Sequence, residues 1–377
     1  MAELSELHIS GLRNLDQQSL KGLSRLNVIS GPNGSGKTSI LEAIHLLALA
    51  KSFRTRDIRQ VINHNDDNLV VSAKGIGDSA SLPFNIGVQR FRSKQATQAK
   101  INGEVIRSAH QLGECLAISL LDSNSFRLVE SGPSYRREFV DWFVFHVKQQ
   151  EFAQPWSRYR KSLQQRNSLL KSRSANNTDI EPWTREIVAQ GDIITRLRIN
   201  ALSEFGRIFK DVASKYVINN SQDDFLDYSL VDLNYNQGWS EGESLQLAMD
   251  NALNSDIKYG ATSVGPHRAD LIFTYGENKQ RVDQCFSRGQ IKMFICLLKL
   301  AQSEYLNRKA NRKSIYLLDD LPSELDDEAI AYFIMSLSRT SSQVFITTIR
   351  DELIQNRDLF SGQTMFHVKH GVVSRQS

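Results

Sequence analysis

The sequence predicts an α/β fold whose parent domain is split along the chain by a long helical insertion, and three observations carry that prediction. Strand-like segments alternate with helical ones at both ends of the 377 residues. The middle reads as two long amphipathic helices. Near the start, a glycine-rich turn stands between an apolar strand and a helix.

The first 30 residues read as β. Leu7 and Ile9 alternate with polar neighbours, and Leu26 to Ile29 form a short apolar run that ends at the glycine-rich turn. A helix follows from about Lys37, with Ile40, Leu41, Ile44 and Leu47 at helical spacing. Residues 66–107 predict further strands, with turns at Gly75, Gly77 and Asn102-Gly103. Phe152, Trp156, Tyr159, Leu163 and Leu170 then mark one helical stripe. A second, longer stripe runs through Trp183, Ile187, Ile194, Leu197, Ala201, Phe205, Ile208, Val212 and Tyr216. Pro182, at the end of the polar stretch between them, suits the first turn of a helix. Two antiparallel helices result, the second roughly 50 Å long at ~1.5 Å per residue, and they predict a protruding arm outside any core. After Asp256 the β character returns. ATSVGPHRADLIFTYG reads as strand and turn, Gly289 to Ser303 as an apolar helix, and SIYLLDD and QVFITTI as buried parallel strands. MFHVKHGVV reads as a last strand. The expected domains are a head from residues 1–110 and 258–377 and a helical arm domain from 111–257.

Composition removes several classes of function. The longest apolar stretch, Ile40 to Ala50, is broken by Glu42 and His45 and is far too short to span a bilayer. The opening MAELSELHIS has two acids and no basic run, so no signal peptide is expected. Cys115, Cys285 and Cys296 are widely spaced and form no CxxC pair, which argues against a disulfide framework or a cysteine zinc site. A reduced, cytoplasmic protein is the expectation.

Net charge is only +4, so its distribution matters more than its total. From Phe152 to Thr178 there is no acid but six basic residues: Arg158, Arg160, Lys161, Arg166, Lys171 and Arg173. From Tyr216 to Ile257 there is no Lys or Arg but eight acids, Asp256 among them. A solvated helix face and a solvated loop would look the same. The basic run, carrying Trp156 and Tyr159, is nonetheless the best local candidate for contact with DNA phosphates.

Gly31-Pro32-Asn33-Gly34-Ser35-Gly36-Lys37-Thr38 fits the P-loop pattern GxxxxGK[ST], and Ser39 continues it into the helix. Its glycines let backbone N–H groups wrap the phosphates of ATP, and the helix N-terminus adds its dipole. Lys37 is expected at the β- and γ-phosphates and the Thr38 hydroxyl at Mg²⁺. Ile315 to Leu318 followed by Asp319-Asp320 has the Walker B form. Asp319 is expected to hold Mg²⁺ through water, and Asp320 to polarise the attacking water as a general base. Ser287-Arg288-Gly289-Gln290 precedes an apolar helix. By itself this is a helix cap. Its place in the order matters more: P-loop, Ser-x-Gly-Gln, Walker B, Ser323-Glu324-Leu325-Asp326, then Ile346-Thr347-Thr348. That is the order of P-loop, signature, Walker B, D-loop and switch strand in ABC-type ATPases. The fold expected is therefore an ABC-type P-loop ATPase head with an inserted antiparallel helical arm. In this class the signature of one subunit completes the nucleotide site of another, so one chain of this kind implies a homodimer closed on ATP binding. By analogy with related ATPases, Arg13, in the strand before the P-loop, is expected at the nucleotide.

At this point the chain resembles the RecF family of bacterial DNA replication and repair proteins over essentially its whole length. The resemblance rests on LHISGLRNL, GPNGSGKTSILEAI, SGPSYRREFVD with Arg136, Arg137 and Asp141, VGPHRADL with Gly265 to Arg268, SRGQIK and LLDDLPSELDDE. It implies an ATP-dependent DNA-binding protein with weak ATPase activity that acts in DNA repair and the SOS response. Such a protein binds duplex DNA near single-strand gaps or junctions and works with RecO and RecR to help load RecA.

Four positions depart from the pattern. Ser123-Asn124-Ser125 replaces a segment that usually carries Pro-Glu, so a carboxylate near the metal is expected to be missing. Arg288 replaces the first Gly of the usual SGGQ, Asp320 stands where most ABC ATPases have Glu, and Thr348 stands at the switch position where transporters have His. Together they imply a slow timer. The alternatives are a nucleotide-gated scaffold that recruits a partner through residues 216–257, an SMC-like subunit of a nuclease complex, and a transport ATPase. Arg136, Arg137, His267 and Arg268 fit either a ligand-facing surface or a salt-bridge network.

Overall fold

The computed structural model describes residues 3–77, 82–93, 97–106, 108, 110–172, 176–216, 226–320, 327–349 and 362–376. Two compact units divide the chain: residues 1–125 with 298–377, and residues 126–297.

The first unit opens with strands β1 (Glu3–Leu12) and β2 (Leu15–Lys21), then β3 (Leu26–Ser30) and helix α1 (Lys37–Leu49). Next come β4 (Asn68–Ile76), β5 (Pro83–Phe91), β6 (Thr97–Ile101), β7 (Glu104–Val105), α2 (His110–Cys115) and β8 (Ile118–Leu121). Six of these strands make an antiparallel sheet in the order β2-β1-β4-β5-β6-β7. The tight turn between β6 and β7 is Asn102-Gly103, both at positive φ, as expected of an Asn-Gly pair. Gly75 is not in a turn. It lies inside β4, where a Cβ would come within 2.2 Å of the Glu3 carbonyl oxygen, so glycine is there to let two strands approach.

The second unit is built on helices. α3 (Arg127–Glu130) and α4 (Pro133–Val147) lead into α5 (Gln149–Lys171) and α6 (Asn177–Ala213). α5 and α6 are antiparallel: Trp156 stacks under the Arg198 guanidinium while Arg166 meets Thr184. α6 begins earlier than its proline suggests, because Asn176 and Asp179 form a reciprocal capping box that leaves Pro182 inside the helix. α6 is also more than an arm. Ile180, Ile187, Ile194, Phe205 and Phe209 are buried, and Phe205 stacks on Phe143 of α4 with ring centres 4.8 Å apart. The long apolar stripe needed a partner on every side, and the rest of the unit supplies it. β9 (Val231–Asn236), α7 (Leu245–Tyr259), β10 (Asp270–Tyr275), β11 (Gln280–Arg281), α8 (Val282–Cys285) and the start of α9 (Arg288–Ala310) complete it. β9, β10 and β11 form a small antiparallel sheet.

The chain then returns to the first unit with β12 (Ile315–Leu318), α10 (Asp327–Arg339), β13 (Val344–Thr348), β14 (Gln363–Lys369) and β15 (Val372–Gln376). The second sheet runs β15-β14-β3-β13-β12-β8, parallel throughout except for the terminal hairpin. β12 and β13 are wholly buried, as their unbroken apolar runs require of a covered parallel sheet. The expected single last strand is a hairpin, turned at His370-Gly371, both at positive φ. One apolar core joins the two sheets to α1, from Leu7 and Ile9 through Ile40 and Ile44 to Leu317 and Phe345.

The unit boundaries differ from those expected at 110/111 and 257/258. Residues 118–121 belong with the first unit because β8 pairs with β12. Residues 258–297 belong with the second, because β10 takes β9 as its partner and Phe294 packs on Phe209 and Phe273. Strand pairing, which hydropathy does not show, decides both.

Candidate nucleotide site

The P-loop lies where β3 hands over to α1. Gly31 has φ 146°, and a Cβ on it would sit 2.3 Å from the Val368 carbonyl oxygen on β14, so only glycine lets the loop leave the sheet there. Gly36, at φ 116°, precedes the first turn of α1. The loop is braced from outside by the Gly371 N–H donating to the Ser35 carbonyl (3.0 Å) and by the Asn14 amide donating to that of Gly34 (3.2 Å). Lys37 folds back over the loop, its Nζ donating to the carbonyls of Gly31 (2.7 Å) and Pro32 (3.0 Å). Burial lowers the Lys37 pKa, against the opposing pull of Asp320 and Asp319. The Ser35 hydroxyl is buried without a hydrogen-bond partner among the described residues, a donor that a phosphate oxygen would satisfy.

Asp319 follows β12 directly. Thr38 Oγ1 donates to its Oδ1 at 2.9 Å, and Thr347 Oγ1 donates to the same oxygen at 2.8 Å. The Asp320 N–H donates to Thr347 Oγ1 at 2.9 Å and holds Asp320 at a left-handed φ of 53°. Burial raises the Asp319 carboxyl pKa; the two threonine hydroxyls oppose that, and the charges of Asp122 and Asp320 add to it. A hydroxyl and a buried carboxylate are both hard oxygen donors, the set that fits Mg²⁺. Thr38 and Asp319 are the residues that would hold it.

A cavity of about 490 Å³ joins these parts, lined by Asn33 to Ser39, Asp319, Asp320 and Thr347. It also takes in Arg13, Asn14, Arg54, Gln60, Ile62 and His64, of which only Arg13 was foreseen. Arg13 is in the turn between β1 and β2, not in a strand. Glu42 of α1, fully buried, accepts from its Nε and Nη2, both at 2.9 Å, so Arg13 faces the cavity with its charge already paired. The other residues follow no fixed spacing. They arrive because the Arg13 N–H bonds the Val61 carbonyl and Leu12 bridges Ile62, which folds residues 54–64 over the loop. At the switch strand it is Thr347, not Thr348, that reaches the site; Thr348 is fully buried in β13. The carboxylate expected to be missing at 123–125 has a neighbour: Asp122 lies one residue beyond the paired Leu121 and Leu318.

In the second unit, Ser287 to Gln290 open α9. The Ser287 N–H donates to Gln290 Oε1 (2.7 Å) and the Gln290 N–H to Ser287 Oγ (3.3 Å), a capping box that leaves Arg288 and Gly289 exposed at the helix start. Arg158, Arg160, Lys161 and Lys171 are exposed on α5. Arg166 is not available for DNA. Its side chain is fully buried and donates to Asp256 (2.8 Å), Thr262 (2.7 Å) and Thr184 (3.0 Å). On an amphipathic helix, charge spacing alone does not say which cation faces inward. Arg136, Arg137, His267 and Arg268 form the network reading: Arg136 pairs with Asp270, Arg137 donates to the Ala269 carbonyl, and Arg268 to that of Thr262. Arg173, Ser323 and Asp326 lie outside the described residues.

A P-loop on a parallel strand, a Walker B aspartate beside it, a second antiparallel sheet and a helical insertion define the head of an ABC-type P-loop ATPase. The model of the RecF/RecN/SMC N-terminal domain matches residues 3–373. The chain belongs to the RecF family: it is 35% identical over 98% of both chains to a DNA replication and repair protein RecF of Chromohalobacter salexigens. With that of Pseudomonas paraeruginosa it shares 37% over 99% of this chain and 97% of the relative. Its fold matches a solved structure of the recombination mediator protein RecF-ATPrS in the RecFOR pathway, with a TM-score of 0.83, 25% identity, and coverage of 100% of this chain and 98% of that one. An Smc head domain from Pyrococcus furiosus shares the fold alone, at a TM-score of 0.55 and 16% identity over 100% and 97% of the two chains. Among the described residues, no helix is long and apolar enough to cross a membrane.

Proposed function

We propose that this protein is an ATP-dependent DNA-binding recombination mediator of the bacterial cytoplasm. One observation carries the reading: Lys37, Thr38, Asp319 and Thr347 converge on a single cavity with the hydrogen bonds of a Mg²⁺–triphosphate site. Lys37 binds the β- and γ-phosphates, Thr38 and Asp319 hold Mg²⁺, and Asp320 accepts the proton of the attacking water. Mg²⁺ supplies charge neutralisation on the phosphates. ATP closes a homodimer in which the exposed helix start at Ser287 to Gln290 of one subunit reaches the γ-phosphate held by the other. The closed dimer holds duplex DNA beside single-strand gaps, Arg158, Arg160, Lys161 and Lys171 contact phosphates, and RecO and RecR use the assembly to load RecA. Slow hydrolysis releases it. The family membership and the names of the relatives support this role.

The test is fluorescence-anisotropy binding of a short duplex at two salt concentrations, with and without ATP, for wild type and Lys37→Met. Tighter binding with ATP, lost in Lys37→Met and weakened by salt, is expected. Duplex affinity that ignores ATP would sink the clamp and move the switch onto a protein partner.

A further inference from the structure

Glu42 stands one turn after Thr38 on α1 and is fully buried. Its carboxylate is crowded with donors. Arg13 grips both oxygens, Nε to Oε2 and Nη2 to Oε1, each at 2.9 Å. The Ser52 hydroxyl also donates to Oε1, and Arg54 Nη1 lies 3.9 Å from Oε2.

Each of these contacts carries on into the wall of the nucleotide cavity. Ser52 Oγ accepts from the N–H groups of Arg54 (3.0 Å) and Thr55 (3.1 Å), so the carboxylate fixes the turn that bears the Arg54 side chain. Arg13 Nη1 donates to the Gln60 carbonyl at 2.9 Å, and Thr55 Oγ1 donates to Gln60 Oε1 at 3.0 Å. Arg13, Arg54 and Gln60 all line the cavity together with the P-loop, and Glu42 lies behind them.

A carboxylate in that place has two effects of opposite sign. It cancels one of two cationic charges beside a site for a polyphosphate, which weakens anion binding. It also fixes two long side chains before the ligand arrives, which strengthens binding by lowering the cost of ordering them. The bidentate grip of Arg13 and the hydroxyl link to the Arg54 turn favour the second.

We propose that Glu42 is a positioning residue of the nucleotide site, holding the guanidinium groups of Arg13 and Arg54 ready for the phosphates bound by the P-loop. The inference rests on the nucleotide reading above. The rival role for Glu42 is to neutralise Arg13 and nothing more.

Binding of a fluorescent ATP analogue with Mg²⁺ to the full-length protein separates the two by sign. Glu42→Gln keeps the shape and removes the charge. Its affinity should fall about tenfold, the scale of one charge-assisted hydrogen bond, although the cavity gains a positive charge. In an Arg13→Gln/Arg54→Gln background the same change should alter affinity by less than about twofold, because nothing is left to position. Tighter binding by Glu42→Gln would overturn the proposal and leave Glu42 as the counter-charge. Unchanged affinity with lowered thermal stability would also overturn it. Should Glu42→Gln not fold, Ser52→Ala cuts the link to the Arg54 turn at constant charge, and a loss of about threefold is expected; wild-type affinity there would sink the proposal. If wild type does not bind the analogue, or Lys37→Met binds it as tightly, the nucleotide reading itself fails and takes this inference with it.

Discussion

Arg166 and Asp256, one from each of the two segments of opposite charge, meet in an ion pair with both side chains fully buried, Nη1 to Oδ2 at 2.8 Å. Asp256 Oδ1 also accepts from the N–H and hydroxyl of Ser263. The pair ties α5 to the end of α7 and uses up one charge of the basic run and one of the acidic run. Truncating one partner leaves the other charge buried without its counter-ion. Arg166→Ala should therefore cost about 3–5 kcal/mol of unfolding free energy in urea, and the paired replacement Arg166→Met/Asp256→Leu much less. A loss under 1 kcal/mol for Arg166→Ala would refute the burial.

The exposed cations of α5 should behave in the opposite way. Replacing Arg158, Arg160, Lys161 and Lys171 by alanine should leave stability within ~0.5 kcal/mol per site. If they contact phosphates, the slope of log affinity for duplex DNA against log salt should flatten by up to about 3 to 4. An unaltered slope would move the DNA surface elsewhere.

Thr347 Oγ1 is at once donor to Asp319 and acceptor from the Asp320 N–H. Thr347→Val keeps the shape and removes both bonds. A cost of about 1–3 kcal/mol in stability is expected. The same variant should need roughly tenfold more Mg²⁺ for nucleotide binding, read by titration of a fluorescent analogue. Thr348→Val, one residue on and facing away from the site, should leave the Mg²⁺ requirement alone.

His267 should make stability depend on pH. Its Nδ1 faces the Tyr159 hydroxyl at 2.6 Å and its Nε2 faces the Thr262 carbonyl at 3.1 Å, an arrangement that suits the neutral ring with its proton on Nε2. Burial brings its pKa down to about 4; Arg268 and Arg137 act in the same direction, and the Thr262 bond opposes them. Between about pH 6.5 and 4 the unfolded chain binds the proton and the folded chain does not, so stability falls as pH falls through that window. At roughly 1.36 kcal/mol per pKa unit the full effect is about 3 kcal/mol. His45, whose pKa burial also lowers, acts with the same sign. Urea unfolding from pH 7 to pH 4 should show a shallower slope in His267→Gln than in wild type; identical slopes would count against a buried neutral imidazole.

The nucleotide-binding motifs were legible because their chemistry is local. Gly31 to Thr38 must be a turn before a helix, and the run Ile315 to Leu318 must be a buried strand ending in carboxylates; both hold whatever surrounds them. Arg54, Gln60 and His64 were not legible, since they reach the cavity through backbone pairing of residues 61–63 with Gly11 to Arg13, and no spacing encodes that pairing. The sequence predicts one strand where the structure has the terminal hairpin, because His370-Gly371 turns it in two residues, too briefly to interrupt the hydropathy.

The fold class, the P-loop and Walker B residues, the antiparallel helix pair and the family are all readable from the residues alone, because they depend on residues near one another or on motif order. Strand partnership, and so where the units divide, emerges from the folded chain. The folded chain also decides that Arg166 points inward, that Thr347 and not Thr348 meets Asp319, and that Asp122 stands level with it. Those are matters of register and of which helix face is covered, and a one-residue slip or a rotation of about 100° along the same sequence would reverse each of them.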